Sequence, residues 1–233
     1  MDYINEYIEK NPNMHLEHSN DKVIQLLAVL PKNKRYNRIL DVACGAGAIT
    51  LAFAKSLVPK YIEGIDISPT MINKAIQLDK EEKVIWKIMD IFQYPTIPER
   101  YDLIVCADIV EHLHDDAKFF EKLKILGKAV VIKVPLEDSI VTKIIRYTKI
   151  SDPWKDTEIR YGHIHHYSVD TLDRVIINSG LGIKNVGYAY MPKRTKLLWE
   201  FLRIFCYPLI ILGKRNLVRI VGGFKIYYLE STD

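Results

Sequence analysis

At 233 residues and 48% hydrophobic, with 33 basic and 29 acidic residues, the chain is long enough to bury one full domain core and too apolar for a disordered class. Cys44, Cys106 and Cys206 are scattered without metal spacing, which excludes a disulfide scaffold and reads as reduced structural thiols. No apolar run reaches the roughly 18 residues of a spanning helix and no basic-then-apolar leader opens the chain, so a cytoplasmic location is expected.

Residues 1–36 precede the first strand, and the resemblance named below implies that they form a helical cover. An amphipathic helix is expected over residues 21–30, with Val23, Leu26, Leu27 and Leu30 on one face. Tyr3, Tyr7, His15 and His18 read either as surface and packing residues or as part of that cover. A core over residues 37–135 follows, in which five apolar runs alternate with helical stretches. Ile39-Leu40-Asp41-Val42 leads into the small-residue turn Ala43-Cys44-Gly45-Ala46-Gly47. Glycine lets such a turn bend sharply and lie against a ligand, and Cys44 within it is expected to be open to alkylation. Tyr61-Ile62-Glu63-Gly64-Ile65 ends in Asp66, and Ile67-Ser68-Pro69 opens a helix with Ser68 as cap and Pro69 in its first turn. Asp66 follows the glycines by about 20 residues, an interval that suits a carboxylate on ribose hydroxyls. The third run, Val84 through Met89, ends at Asp90. The fourth, Tyr101 through Cys106, leads to Ala107-Asp108 and Glu111-His112, after which His114 and Asp115-Asp116 read as a helix start. The fifth, Lys128 through Val134, is closed by Pro135. This alternation predicts an α/β fold, a doubly wound and mostly parallel sheet covered on both faces.

On these motifs the chain resembles a class I S-adenosylmethionine-dependent methyltransferase of the UbiE/UbiG-like small-molecule group, over residues 37–182. The resemblance implies a seven-stranded Rossmann-like sheet with an antiparallel last strand. It also implies S-adenosyl-L-methionine as cofactor. Asp41, Ala43, Cys44, Gly45 and Gly47 would hold its methionine part, with Ala43 where the family commonly has Gly. Asp66 would bind the ribose diol and Ile67 would pack on adenine. Asp90 would accept from the adenine amino group with Ile91 beside it, and Ala107 and Asp108 would lie along the methionyl moiety.

Two inserts are expected above the carboxyl edge of the sheet, where ligands bind in such folds. The first, residues 136–167, carries Tyr161-Gly162-His163-Ile164-His165-His166-Tyr167-Ser168. A metal reading of its three histidines lacks a Cys or a second His group nearby. Relatives carry a similar segment against the substrate, with His163 at the histidine of the pattern and Ser168 at the following helix cap. Histidine can take a proton from a hydroxyl near neutral pH, or His163 can simply fix the loop. Asp108-x-x-Glu111-His112 resembles a motif of quinol O-methyltransferases that can hold a divalent cation. The same Glu-His occurs in metal-independent relatives, and no metal is assigned.

Residues 168–233 comprise a helix ending at Gly180, a strand over residues 183–190, the second insert at residues 191–221, and a last strand over residues 224–230. Between Met191 and Leu229 stand eight cations and one acid, Glu200, a net +7; the formal total of +4 leaves −3 for the rest. The insert's apolar segment, Leu197 through Leu212, is flanked by Lys193, Arg194, Lys196, Lys214 and Arg215. Such a segment suits an interfacial helix on an anionic membrane or a cover over a hydrophobic substrate.

The expected activity is methyl transfer to an amphipathic or lipid-linked metabolite, foremost O-methylation, with His163, then His112, then His165 or His166 as base. C- or N-methylation is the alternative. The strand end Cys106-Ala107-Asp108-Ile109 lacks the Asn/Asp-Pro-Pro-aromatic motif of amino-methylating nucleic-acid enzymes, so nucleic acid is not the expected partner. RNA methylation by other chemistry, and a non-catalytic cofactor-binding subunit, remain as readings outside that class.

Overall fold

In the computed structural model, which describes residues 19–149, 151–190, 211 and 213–232, the chain folds around one seven-stranded sheet. In chain order the elements are α1 (Ser19–Val29), β1 (Arg38–Val42), α2 (Ala48–Leu57), β2 (Tyr61–Asp66), α3 (Pro69–Leu78) and β3 (Ile85–Ile88). Then come β4 (Leu103–Ala107), α4 (Asp116–Leu126), β5 (Ala129–Leu136), α5 (Ile140–Tyr147), α6 (Pro153–Tyr161) and α7 (Val169–Asn178). The chain closes with β6 (Leu181–Tyr190), α8 (Lys214–Val221) and β7 (Gly223–Ser231). Short 3-10 turns follow β3 and β4, at Ile91–Gln93 and Val110–His112.

The strand order is β3-β2-β1-β4-β5-β7-β6. Neighbours among β1 to β5 are parallel, and β7 runs antiparallel between β5 and β6. The order reverses between β1 and β4, and ligands bind at such a reversal, beyond the carboxyl ends of the strands.

Successive residues of each central strand go to opposite faces. Ile39, Leu103, Val105, Ala129 and Val131 join one apolar cluster with Leu26 and Phe53 of α1 and α2. Their immediate neighbours Leu40, Ile104, Cys106, Val130 and Ile132 join the other, with Phe119 and Leu123 of α4 and Leu172 of α7. Both faces are dry, which is why these strands read as continuous apolar runs rather than alternating ones.

Helix starts follow their caps. Ser68 accepts from the Met71 N–H, with Pro69 in the first turn of α3. Asp115 caps α4 through the Lys118 N–H. Ser168 and Thr171 form a reciprocal capping box at α7.

Three expectations change. Pro135 does not close the fifth strand: β5 runs to Leu136, with Pro135 opposite Phe224 of β7. Pairing with β4 has ended by then, at Lys133, so the proline needs no ladder N–H on that side. The basic tail is also less available than its count suggested. Lys225 is buried, donating to Asp173 and to the Val169 carbonyl, and Arg215 and Arg219 of α8 both pair with Asp170. Cys44 is buried rather than open to alkylation, and burial with Asp41 and Asp66 nearby pushes its thiol far up. Residues 1–18, Cys206 and the apolar segment of the second insert through residue 210 lie outside the described residues. Among the described residues no helix is long and apolar enough to cross a membrane.

Candidate active site

Three strand ends build the first half of the site. After β1 the chain turns through Ala43, Gly45 and Gly47, all at positive φ (56°, 55° and 80°). Gly45 and Gly47 serve different ends. A Cβ on Gly45 would meet nothing within 4 Å, so its turn is open to a ligand. A Cβ on Gly47 would stand 2.5 Å from the Trp86 ring of β3, so this glycine is required by packing at the start of α2. Asp66 at the end of β2 ties the turn down. Its Oδ2 accepts from the Gly45 N–H at 2.9 Å and its Oδ1 from the Ser68 N–H at 2.8 Å. Burial raises the Asp66 carboxyl above its ordinary value, and the backbone donors oppose that rise. Ile67, next along, is 56% exposed, an apolar side chain offered to solvent at the edge of the crevice. Asp41 is buried beneath the turn, where burial pushes its carboxyl up to about 7 against the hydrogen bond from Thr50. Asp90 at the end of β3 caps the following turn through the Phe92 N–H. Ile91, next to it, is buried in the core.

The second half gathers ionisable groups. Asp108, also at positive φ (55°), is held between Lys133 of β5 at 2.7 Å and Lys22 of α1 at 2.8 Å. Burial opposes its ionisation, and the two ammonium groups overcome it, so the carboxyl is held well below its ordinary range. Lys133 is itself buried, with its Nζ 3.4 Å from the centre of the Phe224 ring.

Glu111 is 1% exposed, and neither carboxyl oxygen has a hydrogen-bond partner. Burial and the neighbouring Asp108 raise it well above its ordinary value. Its backbone carbonyl accepts from the N–H groups of Ile164 and His165, which ties the first insert to the end of β4. That tie brings His163 edge-on to His112, with 4.9 Å between ring centroids. His112 Nδ1 donates to the Gly162 carbonyl at 3.2 Å, and its Nε2 lies 3.9 Å from Glu111. Burial lowers the His112 imidazole to about 4, assisted by His163.

Behind His163 stands Glu137. Its two oxygens meet Nδ1 of His163 at 2.9 Å and Nδ1 of His166 at 2.8 Å. His165 points elsewhere, stacked on Tyr167. Glu111, His112 and His163 each bring a donor atom within 4.8 Å of the others, a spacing open to a metal ion as much as to a shared proton. Asp108 of the sequence motif is not in that set, because the lysines hold it.

A family model described as a methyltransferase domain matches residues 14–184, nearly three quarters of the chain. The chain belongs to the methyltransferase-domain family. It is 33% identical over 97 residues to an ajmaline N-methyltransferase of Rauvolfia serpentina, covering 39% of this chain and 32% of that one. It is 27% identical over 92 residues to a ubiquinone biosynthesis O-methyltransferase of Coxiella burnetii, covering 39% and 38%. The chain thus matches about a third of the length of these curated relatives.

Among solved structures, the N-methyltransferase NodS of Bradyrhizobium japonicum, in complex with S-adenosyl-L-homocysteine, superposes with a TM-score of 0.62. Identity is 17%, over 92% of this chain and 87% of that one. A Haemonchus contortus phosphoethanolamine N-methyltransferase with S-adenosyl-L-methionine gives 0.65 at 19% identity, over 92% and 53%. At such identities the likeness is one of fold.

Within the methyltransferase domain, Asp41, Gly45, Asp66, Asp90, Ala107 and Asp108 all stand at carboxyl ends of β1 to β4, where the sequence placed them. His163 and His112 are brought together, and His166 joins them only through Glu137. Sequence reading missed Lys22, Lys133 and Glu137. A signal existed for two of them. Lys133 is a charge inside an otherwise apolar strand, and Glu137 follows β5 as acids follow the ends of the other strands.

Proposed function

We propose that this protein transfers a methyl group from S-adenosyl-L-methionine to the hydroxyl of a small amphipathic or lipid-linked acceptor, with an imidazole as base. The residues present fit the cofactor. The open turn at Gly45 leaves room for its methionine part, Asp66 is placed for ribose hydroxyls, and exposed Ile67 with Asp90 suits adenine. The cofactor supplies a methyl group already activated on sulfonium sulfur, so the chain's tasks are to orient the acceptor, exclude water and take a proton.

The observation that carries the reading is the edge-on pair of imidazoles, His163 of the first insert and His112, four residues beyond Asp108. Burial lowers His112 to about 4, so it is neutral at physiological pH, the form of imidazole that can accept a proton. His163 is the first choice for the base because it lies on the insert, the element that varies most with substrate.

An apolar acceptor is supported by the first insert. Ile140, Ile144 and Tyr147 form an exposed row along α5, with Ile159 on α6 and Ile164 also exposed. Peripheral contact with a membrane is a further reading that the same exposed row supports. A second reading, methylation of an amine, is favoured by the N-methyltransferases among the relatives.

Titration calorimetry with S-adenosyl-L-methionine, on the wild type and on Asp66→Ala, tests the cofactor. Affinity is expected to fall strongly in the variant because ribose hydroxyls lose their acceptor. No binding by the wild type, or equal binding by both, sinks the assignment. A metabolite extract incubated with methyl-labelled cofactor then identifies the acceptor. On it, His163→Ala or His112→Ala is expected to lower turnover about 10²-fold. Full activity in both removes the base.

A further inference from the structure

Glu137 has no place in the scheme above, yet more converges on it than on any other acid of the first insert. It is 8% exposed, and Oε1 is taken by His163 Nδ1. Oε2 is shared by His166 Nδ1 and by the Thr157 hydroxyl of α6 at 3.1 Å. Its backbone carbonyl accepts from the Trp154 indole N–H at 3.2 Å. That indole stacks on the His166 ring, 4.7 Å between centroids and 6° between planes. The Arg146 guanidinium of α5 lies over the Trp154 ring, 3.6 Å from its centre. A carboxylate one residue past β5 is therefore clamped by both helices of the insert and spends each oxygen on an imidazole.

Neutral imidazole carries its proton on one nitrogen only, and its partner decides which. An ionised carboxylate can only accept. Both rings must then present Nδ1–H to Glu137, and in each the lone pair is left on Nε2. We propose that Glu137 is the positioning residue of the proton-accepting site: it locks His163 and His166 together in the Nδ1–H tautomer, so that Nε2 of His163 is the nitrogen that receives the acceptor's proton. This rests on the base reading of His163 and adds the residue through which that base is aimed. When His163 takes the proton, the hydrogen bond to Glu137 becomes one between opposite charges, which strengthens as the proton arrives. Burial works against ionisation of Glu137, and the two imidazole hydrogen bonds overcome it, holding the carboxyl at about 2.

Nitrogen-15 NMR of histidine-labelled full-length protein reads the tautomers directly, without an acceptor. On the alkaline side, where the rings are neutral, His163 and His166 are each expected to show protonated Nδ1 and bare Nε2. In Glu137→Gln the amide offers one acceptor in place of two, so one ring is expected to switch to Nε2–H. In Glu137→Ala both are expected to lose the fixed state. Nε2–H in the wild-type His163, or unchanged tautomers in Glu137→Gln, overturns the proposal while leaving methyl transfer standing. Fixed tautomers with full activity in His163→Ala would instead overturn the base reading, and the positioning role with it.

Discussion

Ala43 holds a left-handed backbone, at φ 56°, that costs a residue with a Cβ about 1–2 kcal/mol. A glycine there would relieve it, less about 0.5–1 kcal/mol for glycine's greater freedom when unfolded. Ala43→Gly is therefore expected to stabilise the protein by up to about 1 kcal/mol, read as a higher denaturant midpoint. A lower midpoint would mean that the turn is not strained. Asp108 is the more costly residue to lose. Removing it leaves Lys133, 2% exposed, without its carboxylate, and breaking such a pair costs about 3–5 kcal/mol. Urea unfolding of Asp108→Ala checks this. The double variant Asp108→Ala, Lys133→Met should regain most of the loss, since no buried charge is then left alone. Additive loss in the double variant would remove the ion pair from the account. The acids at strand ends were legible in the sequence because each closes an apolar run. Their partners were not, since Lys22 lies 86 positions before Asp108 and nothing local links them. The two glycines of the first turn were read alike, although packing against Trp86 and Ala75 explains one of them, and those contacts cross to β3 and α3.

At the scale of elements, local chemistry was a good guide wherever a cap or turn decides the outcome. Ser68, Asp115 and Ser168 start their helices as read, because an N-cap bonds to a backbone N–H two or three residues on. Ser168→Ala removes one side of the capping box at α7 and is expected to cost about 1 kcal/mol, measured by chemical unfolding. A change near zero would show that the Tyr167 hydroxyl, which donates to Asp116, already fixes the entry into α7. Pro135 was misread because a proline's meaning in a strand depends on which neighbour is still pairing there, a fact of topology. The first insert was foreseen as a cover, but its two helices and their clamp on Glu137 were not, since the fixing contacts run from Trp154, Thr157 and His166 back to the strand.

For the whole molecule, the buried ionisable groups set opposite demands on pH. Asp41 titrates near 7 when folded and near 3.8 when free, so its stabilisation is complete below 3.8 and is lost as pH rises to about 7. Glu137 does the reverse: its contribution is present above 4.5 and disappears as pH falls to about 2. His112, at about 4 against 6.5, also loses its contribution on acidification. Stability should therefore fall on both sides of a mildly acidic optimum, and Asp41→Asn should flatten the neutral limb. Thermal midpoints of the two proteins across pH decide it; parallel curves would rule out Asp41 as the cause. The sheet's strand order bears on biosynthesis as well. β6 touches the sheet only through β7, which leaves the ribosome after it. A nascent chain that has emerged through residue 190 can close β1 to β5, but its sixth strand still lacks its native partner. Completion then waits for β7 to enter between two elements already made, a long-range step of the kind that slows folding. During that interval the outer edge of β5 is an open row of backbone donors and acceptors, and it is the place where a chaperone would have most to protect.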